Sequence, residues 1–473
     1  MLSEYKYYIF FAVLLFGVPV GIILACMSRF WEKSVLFIAI FFTCRNEQAI
    51  NFFSHRLYKG TSRGFEISIV DLAMVILFFV ILFRKEFKLR LLPPGSLLYG
   101  LYFLLSMASI ARADIQLYSW FEILKLVRMY FLFWVLSNYF NNYDRIILGI
   151  KFFGLVICYI FAITILQRYF LHMFQVRGTF PHQNSLAMYC SVLGPLFLAL
   201  AINYHGDKPR LIYFSIMTFA MCSAMEIMTL SRGGLACYLF GVMTSFGISC
   251  LTGMTSRKVI FTVLAVIVGS MLLGYAAPTI IRRFKYAPVT SRLYREQLAK
   301  AACNMANDSF FGVGLNNFGL KVNPPYQYFK EDKKIKHPEG YTEGLVESTY
   351  LMIAAETGWF NLAVYLLLLL RLYWINFRNI FRLRHRNEQF IAIGFAGGLS
   401  AIYLQSVLEW VLRQTDNAYQ LMYILAVIVA MDTIYRREKR QAALSRDLSS
   451  HADPHSIAAS DPALLPEATE SRA

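Results

Sequence analysis

The chain has 473 residues, of which 57% are hydrophobic and only 16% are charged. A soluble domain typically carries about a quarter charged residues, so this composition excludes an ordinary soluble protein and indicates an integral membrane protein. The formal net charge of +17 could indicate a nucleic-acid partner, but the basic residues cluster in short loops between apolar runs, which favours a membrane topology and no nucleic acid.

Apolar runs long enough to cross a hydrocarbon core of about 30 Å recur along the chain. They include residues 7–27, 65–83, 121–139, 211–230 and 259–277. Hydropathy predicts about twelve or thirteen spans. We therefore expect an all-α polytopic membrane domain over residues 1–436 with one large extracytoplasmic loop that contains short helices. The first run has no small-residue cleavage site behind it, so we expect a retained helix.

The basic loops predict which ends of the spans face the cytoplasm. Residues 84–90, 207–210, 256–258, 371–386 and 435–440 are rich in Lys and Arg and fit the positive-inside rule. The alternate loops then face outward: 112–120, 168–184, 231–234, 281–346 and 413–417, together with the basic loop 45–64. Residues 437–473 predict a cytoplasmic, disordered tail, because from about residue 441 they are rich in Ser, Ala, Asp, Glu and Pro and lack aromatic residues.

The eight cysteines lie mostly inside the apolar runs, where a thiol packs as a small apolar group. No CxxC pair or metal-ligand spacing is present. We expect no disulfide framework, no bound metal and no cofactor.

Residues 281–346 form the longest predicted loop, and long ordered loops are usually functional. The loop is basic although it faces outward. This indicates an anionic ligand, unless the loop is simply exempt from the positive-inside rule because of its length.

Residues 288–305 predict an amphipathic helix in this loop, with Thr290 or Ser291 as its cap. Leu293, Leu298, Ala302 and Met305 would form its buried face. Arg292 lies in the first turn, where backbone N–H groups also favour anions. Arg295 is expected to pair with neighbouring carboxylates on a solvated face.

Arg232 lies in a tight turn between two predicted spans, in the stretch TLSRGGLACYLF, at their outer end. An arginine within the apolar depth costs on the order of 2.5 to 3.5 kcal/mol, and such residues are usually functional. Alternatively, the side chain extends to lipid phosphates. Gly233 and Gly234 allow close backbone approach, so the turn indicates phosphate binding.

Four stretches, in this order and spacing, resemble the bacterial O-antigen ligase and O-antigen polymerase-like membrane glycosyltransferases over residues 177–370. They are RGTFPHQNSLAMY, TLSRGGLACYLF, SRLYREQLAKAACNMANDSFFGVGLNNFG and ESTYLMIAAETGWFNLAVYLLLL. The resemblance implies transfer of an oligosaccharide from undecaprenyl diphosphate to a glycan, lipid-core or protein acceptor. It places this step on the extracytoplasmic side of the bacterial inner membrane, in O-antigen or exopolysaccharide synthesis, without a nucleotide sugar.

Within that resemblance, Arg232 and Arg292 match family arginines that are implied to hold the lipid diphosphate. Ligases of the family typically have a histidine where this chain has Glu347, which leaves polymerase, ligase and protein transferase open. Glu347 could act as the general base with Tyr350 one turn further on, or it could cap its helix. His337 is the other candidate base.

The leaving diphosphate needs positive charge, and the chain has no Asp-x-Asp pair, so we expect a metal-independent transferase with an arginine clamp. Arg177 and Asn184 are further candidates for binding the donor or its sugar. The pair Glu409 and Arg413 could line a substrate channel, although a structural ion pair is favoured. The alternative function is a polytopic transporter or a flippase for a lipid-linked glycan.

Overall fold

The computed structural model describes residues 2–45, 49–55, 58–206, 209–285, 289–326, 328–329 and 344–451. The described helices and strands are α1 Leu2–Ala12, α2 Val18–Met27, α3 Arg29–Phe42, β1 Ile50–Phe52, β2 Phe65–Ile67, α4 Ile69–Phe83, α5 Ser96–Ala108, α6 Gln116–Tyr139, α7 Tyr143–Ile165, α8 Gln183–Asn203, α9 Pro209–Thr229, α10 Arg232–Leu251, α11 Ser256–Lys285, α12 Val289–Asp308, α13 Phe318–Lys321, α14 Thr349–Thr357, α15 Trp359–Arg382, α16 Gln389–Leu408 and α17 Thr415–His451. The two short strands pair antiparallel, with Asn51 opposite Glu66.

The prediction of an all-α polytopic membrane protein is confirmed. Within the described residues, eight helical segments are long and apolar enough to cross a membrane. This is fewer than the twelve or thirteen spans that hydropathy predicts. Part of the difference has a physical reason: α4 and α5 are short apolar helices, and α6 carries the buried charges of Glu122, Lys125 and Arg128.

Helix α8 lies at the centre of the bundle, and the apolar stretch with which it would span the membrane is entirely buried by protein. Helices α8, α10 and α16 pack closely against one another because glycines stand at the crossings. A Cβ atom on Gly397 would lie 2.4 Å from the Gly241 carbonyl oxygen, and one on Gly398 would lie 2.5 Å from the Val192 carbonyl oxygen. Small residues let the backbones of membrane helices approach to this distance.

The loops predicted to face outward meet at one end of the bundle. The Ser119 hydroxyl donates to the Leu315 carbonyl at 2.6 Å, which joins the first turn of α6 to the long loop. The Arg413 Nη2 atom donates to Glu356 at 2.5 Å, which joins the α16–α17 connection to α14. The basic segments 84–90 and 435–440 meet at the other end, where residues of both line one cavity.

Two predicted segments differ in extent or detail from the structure. The amphipathic helix of the long loop is α12, and Leu298, Ala302 and Met305 are buried as expected, whereas Leu293 is half-buried. The predicted disordered tail is helical in its first part, because α17 continues to His451. Residues 452–473 lie outside the described part of the chain.

Candidate active site

A cavity of about 540 Å³ lies at the outer-loop end of the bundle. It is enclosed by the start of α8, the turn between α9 and α10, helix α12, the segment before α14 and the end of α16. Most of the residues that line it are charged or polar: Arg232, Arg295, Glu347, Glu409, Asn184, His182, Gln175, Gln183, Gln414 and Ser231. We refer to this space as the candidate cavity.

The turn between α9 and α10 places Arg232 in the lining of this cavity. Helix α10 begins at Arg232, and the Ser231 side chain caps it by accepting from the Gly234 N–H at 3.1 Å. A Cβ atom on Gly234 would lie 2.6 Å from the Ala187 Cβ atom, so the turn needs glycine to pack against α8. The arginine side chain is exposed rather than buried in the apolar core. The helix N-terminus beside it adds partial positive charge.

Arg295 and Glu347 form an ion pair in the cavity, with 2.6 Å between Nε and Oε2. Burial raises the pKa of Glu347, while the charge of Arg295 and its hydrogen bond lower it. Ser348, rather than Glu347, caps α14, because its side chain accepts from the Leu351 N–H. The alternative in which Glu347 serves as the helix cap is therefore wrong, and its carboxylate is directed to the cavity instead.

Glu409 is a second carboxylate of the cavity, and it follows the last residue of α16. Asn184 Nδ2 donates to its Oε1 atom at 2.5 Å. The Glu409 carbonyl accepts from the Thr349 N–H at 3.2 Å and from the Thr349 hydroxyl at 3.1 Å, which ties it to the segment that carries Glu347. Burial and the neighbouring Glu347 raise the pKa of Glu409 to about 7, against the opposing effects of Asn184 and Arg295.

A buried charge cluster of Glu122, Lys125, Glu356 and Arg413 supports this end of the bundle. Arg413 Nη2 lies 2.5 Å from Glu356 and 3.5 Å from Glu122, and Lys125 Nζ lies 2.7 Å from Glu122. Each of these side chains is at most 5% exposed. The favoured ion pair between Glu409 and Arg413 is therefore wrong, because each residue bonds to different partners.

The glycine-rich turn of the long loop, residues 310–319, is fixed to α14 by backbone hydrogen bonds. The Val313 N–H donates to the Ala355 carbonyl at 2.9 Å, and the Gly314 N–H donates to the Glu356 carbonyl at 3.0 Å. Gly358 has φ +87°, and a Cβ atom there would lie 1.9 Å from a backbone oxygen of this turn. The turn and the Glu-Thr-Gly segment therefore form one packed unit below the cavity.

The other predicted site residues lie elsewhere. Arg177 is exposed and its Nη1 atom donates to the Pro181 carbonyl at 3.3 Å. The Tyr350 hydroxyl donates to the Tyr403 carbonyl at 3.0 Å. Neither Arg177 nor Tyr350 lines the candidate cavity as described. The backbone of Arg292 lies in the first turn of α12, one turn before Arg295, but its side chain and all of His337 lie outside the described residues.

The sequence did not assign Arg295 or Glu409 to the site of the reaction. Arg295 was expected to pair with carboxylates on a solvated face, and it pairs with Glu347 at an exposed position. Its spacing of three from Arg292 was the available signal that both share a face of α12. Glu409 was considered for a substrate channel, but no signal placed it beside Glu347, because only packing brings the end of α16 there. Within the described ranges, no group of three or more His, Cys, Asp or Glu side chains could hold a metal ion.

Residues 217–366 match the family described as O-antigen ligase. This range contains Arg232, Arg295 and Glu347, whereas Asn184 and Glu409 lie outside it. None of the curated proteins matches the chain. The family match supports a glycosyltransferase-like enzyme of surface-polysaccharide ligation or polymerisation, with a lipid-linked polysaccharide and an acceptor as partners. The chain is therefore a multi-pass membrane protein in which residues 217–366 are similar to the O-antigen ligase family.

Proposed function

We propose that the protein transfers an oligosaccharide from undecaprenyl diphosphate to an acceptor hydroxyl during polymerisation or ligation of a surface polysaccharide. The acceptor is a glycan, a lipid core or a protein, and the reaction takes place on the extracytoplasmic side of the bacterial inner membrane. The observation that carries the proposal is the convergence of two arginines and two carboxylates, Arg232, Arg295, Glu347 and Glu409, in one cavity at the outer-loop end.

The arginines provide the charge that a departing diphosphate requires. Guanidinium groups bind phosphate oxygens two at a time, and they stabilise the negative charge that develops as the bond to the sugar breaks. Arg232 contributes from the start of α10, where the helix N-terminus also favours an anion. Arg292 and Arg295 are one turn apart on α12, and we assign both to the clamp. The arginines carry the required charge, so the proposed mechanism needs no metal ion.

Glu347 is the proposed general base. The acceptor oxygen forms a bond with the anomeric carbon, the bond from that carbon to the diphosphate oxygen breaks, and the diphosphate leaves with the bonding electrons. The acceptor proton passes to the carboxylate. A base is most effective when its pKa lies near the working pH, and burial raises the pKa of Glu347 in that direction. A diphosphate that binds Arg295 would weaken the ion pair and make the carboxylate a stronger base.

Glu409 is the second acid–base group of the proposed site. With a pKa of about 7 it is divided between its two forms at neutral pH, so it can take up the proton that Glu347 receives. Asn184 fixes its position. His337 stays an alternative base, while Tyr350 and Arg177 stay predictions for substrate contact from outside the lining described above.

Purified protein in detergent tests the proposal. It is incubated with an undecaprenyl-diphosphate-linked oligosaccharide and excess chelator, without nucleotide sugar, and the release of undecaprenyl diphosphate is measured together with product length. We expect release in the wild type and a loss of about tenfold to a hundredfold in Arg232→Gln, because a hydrogen bond to a charged group is worth about 1.5–3 kcal/mol. The control is Arg112→Gln, since Arg112 is an exposed arginine that does not line the cavity.

The products and the variants separate the remaining alternatives. A ladder of lengths indicates a polymerase, and a single transferred unit indicates a ligase. Glu347→Gln should abolish release, while Glu409→Gln should reduce it and change its pH dependence. Absence of release with every donor and acceptor, together with movement of the lipid across vesicle membranes, would show a flippase or transporter instead.

A further inference from the structure

A second cavity, of about 470 Å³, lies beside the second half of α17, away from the candidate cavity. It is formed by the loop before α5, the end of α6 and residues 433–444 of α17. Five basic residues line it: Lys88, Arg90, Arg436, Arg437 and Arg440. None of the residues that line it in the described part of the chain is acidic. We call this cavity the basic pocket.

Neutral partners hold two of these guanidinium groups in place. Arg90 Nη1 donates to the Thr433 hydroxyl at 2.7 Å, and Arg437 Nη2 donates to the Asn141 carbonyl at 2.7 Å. These bonds order the side chains without neutralising their charge. Pre-ordered guanidinium groups that keep their charge are suited to phosphate oxygens.

The neighbouring acidic residue cannot neutralise the pocket. Asp432 lies 2.9 Å from Arg436, but it also pairs with Arg378 and Arg382 outside the pocket. Burial, and then the charges of the surrounding arginines, lower the pKa of Arg90, although Asp432 opposes this effect. The pocket therefore retains a positive potential.

The geometry of α17 places the basic pocket at the opposite membrane surface. Gln414, just before this helix, lines the candidate cavity, and Thr433 lines the basic pocket. At 1.5 Å per residue the helix between them is about 30 Å long, which is the thickness of the hydrocarbon core. Leu89 and Leu444 also line the pocket and are 41% and 63% exposed, so its wall offers apolar contact beside the charges.

We propose that the basic pocket binds the phosphate headgroup of an anionic phospholipid in the leaflet opposite the candidate cavity. Clustered Lys and Arg between membrane helices on the cytoplasmic side suit such headgroups, and the basic loops at this end predict that side. Leu89, in the loop before α5, offers apolar contact that suits a lipid and that a soluble phosphate compound would not use. This inference does not depend on the reaction proposed above.

The test compares lipid affinities of the full-length protein. Phosphatidylglycerol and phosphatidylcholine are titrated separately into detergent-purified protein, and native mass spectrometry gives the dissociation constant of each lipid. The variant is Lys88→Gln/Arg440→Gln, whose two residues are exposed. The control is Arg384→Gln/Lys439→Gln, which removes the same two residue types from the same end of the bundle, at exposed positions that do not line the pocket.

We expect the wild type and the control to prefer phosphatidylglycerol. The variant should bind it roughly thirtyfold more weakly, since each basic residue near an anionic surface contributes on the order of fivefold. Equal affinity in variant and control would overturn the proposal. Inorganic phosphate is titrated as well: if it binds the wild type as tightly as phosphatidylglycerol and competes with it, the ligand is a soluble phosphate compound and the lipid assignment is wrong.

Discussion

Replacement of Arg413 by methionine should strongly destabilise the outer-loop end of the bundle. Arg413 is 4% exposed and is shared between Glu356 and Glu122. Methionine fills similar space but leaves two buried carboxylates with the single ammonium group of Lys125. Removing one partner of a buried ion pair typically costs about 3–5 kcal/mol, because a buried charge is left uncompensated.

The matched control is the same substitution at Arg386. This arginine pairs with Glu438 at 2.6 Å, but the two side chains are 47% and 38% exposed. Exposed pairs contribute at most about 1 kcal/mol. Unfolding in mild detergent can be followed by reaction of a fluorescent maleimide with the buried free thiols, such as Cys190 and Cys237. The free energy of unfolding should fall several times more for Arg413→Met than for Arg386→Met.

A double variant checks the cause of this loss. Glu356→Gln removes one of the two carboxylates that Arg413→Met leaves unpaired, so the combination should recover about 0.5–3 kcal/mol relative to the sum of the single variants. Residues in direct contact show coupling of this size, whereas independent residues do not. Equal stability of Arg413→Met and Arg386→Met, or strict additivity in the double variant, would refute the reasoning.

Three further predictions concern the backbone and the cavity. Gly358→Ala should lower the unfolding temperature by several degrees in the same assay, because φ is +87° and a Cβ atom would collide with a carbonyl oxygen. The control Gly247→Ala should not lower it, because no atom lies within 4 Å of the added Cβ atom. The pKa of Glu409 is raised from 4.5 to about 7, so its contribution to stability is complete below about pH 4.5 and is lost as the pH rises through about 7. Glu409→Gln should therefore flatten the dependence of the unfolding free energy on pH between these values. An unchanged dependence in the variant would contradict the raised pKa of Glu409. Arg295 lowers the pKa of Glu347, so Arg295→Gln should move the acidic limb of the pH–rate profile to higher pH, and a limb that stays in place would exclude Glu347 as the titrating base.

The sequence by itself determined the class of the protein and much of the outer-loop end. Apolar run lengths identified a polytopic membrane protein, and the short loops rich in Lys and Arg predicted which connections lie at the same end of the bundle. The position of Arg232 between two spans was sufficient to predict that the turn, which lines the cavity, is functional. These properties depend on composition and periodicity within one segment, and a single sequence displays both.

Only the tertiary structure decided which charges meet. Glu409 lies beside the Glu347 segment because α16 ends where α14 begins, and Arg413 bonds to Glu356 and Glu122 although Glu409 is its neighbour along the chain. Tyr350 was predicted one turn from Glu347 on the same face, but its hydroxyl is bonded to the Tyr403 carbonyl. Within the described residues fewer helices qualify as spans than hydropathy predicts, in part because α6 carries charges that packing pairs inside the protein. Side-chain partners depend on the packing of helices distant in sequence, and helical periodicity carries no information about that packing.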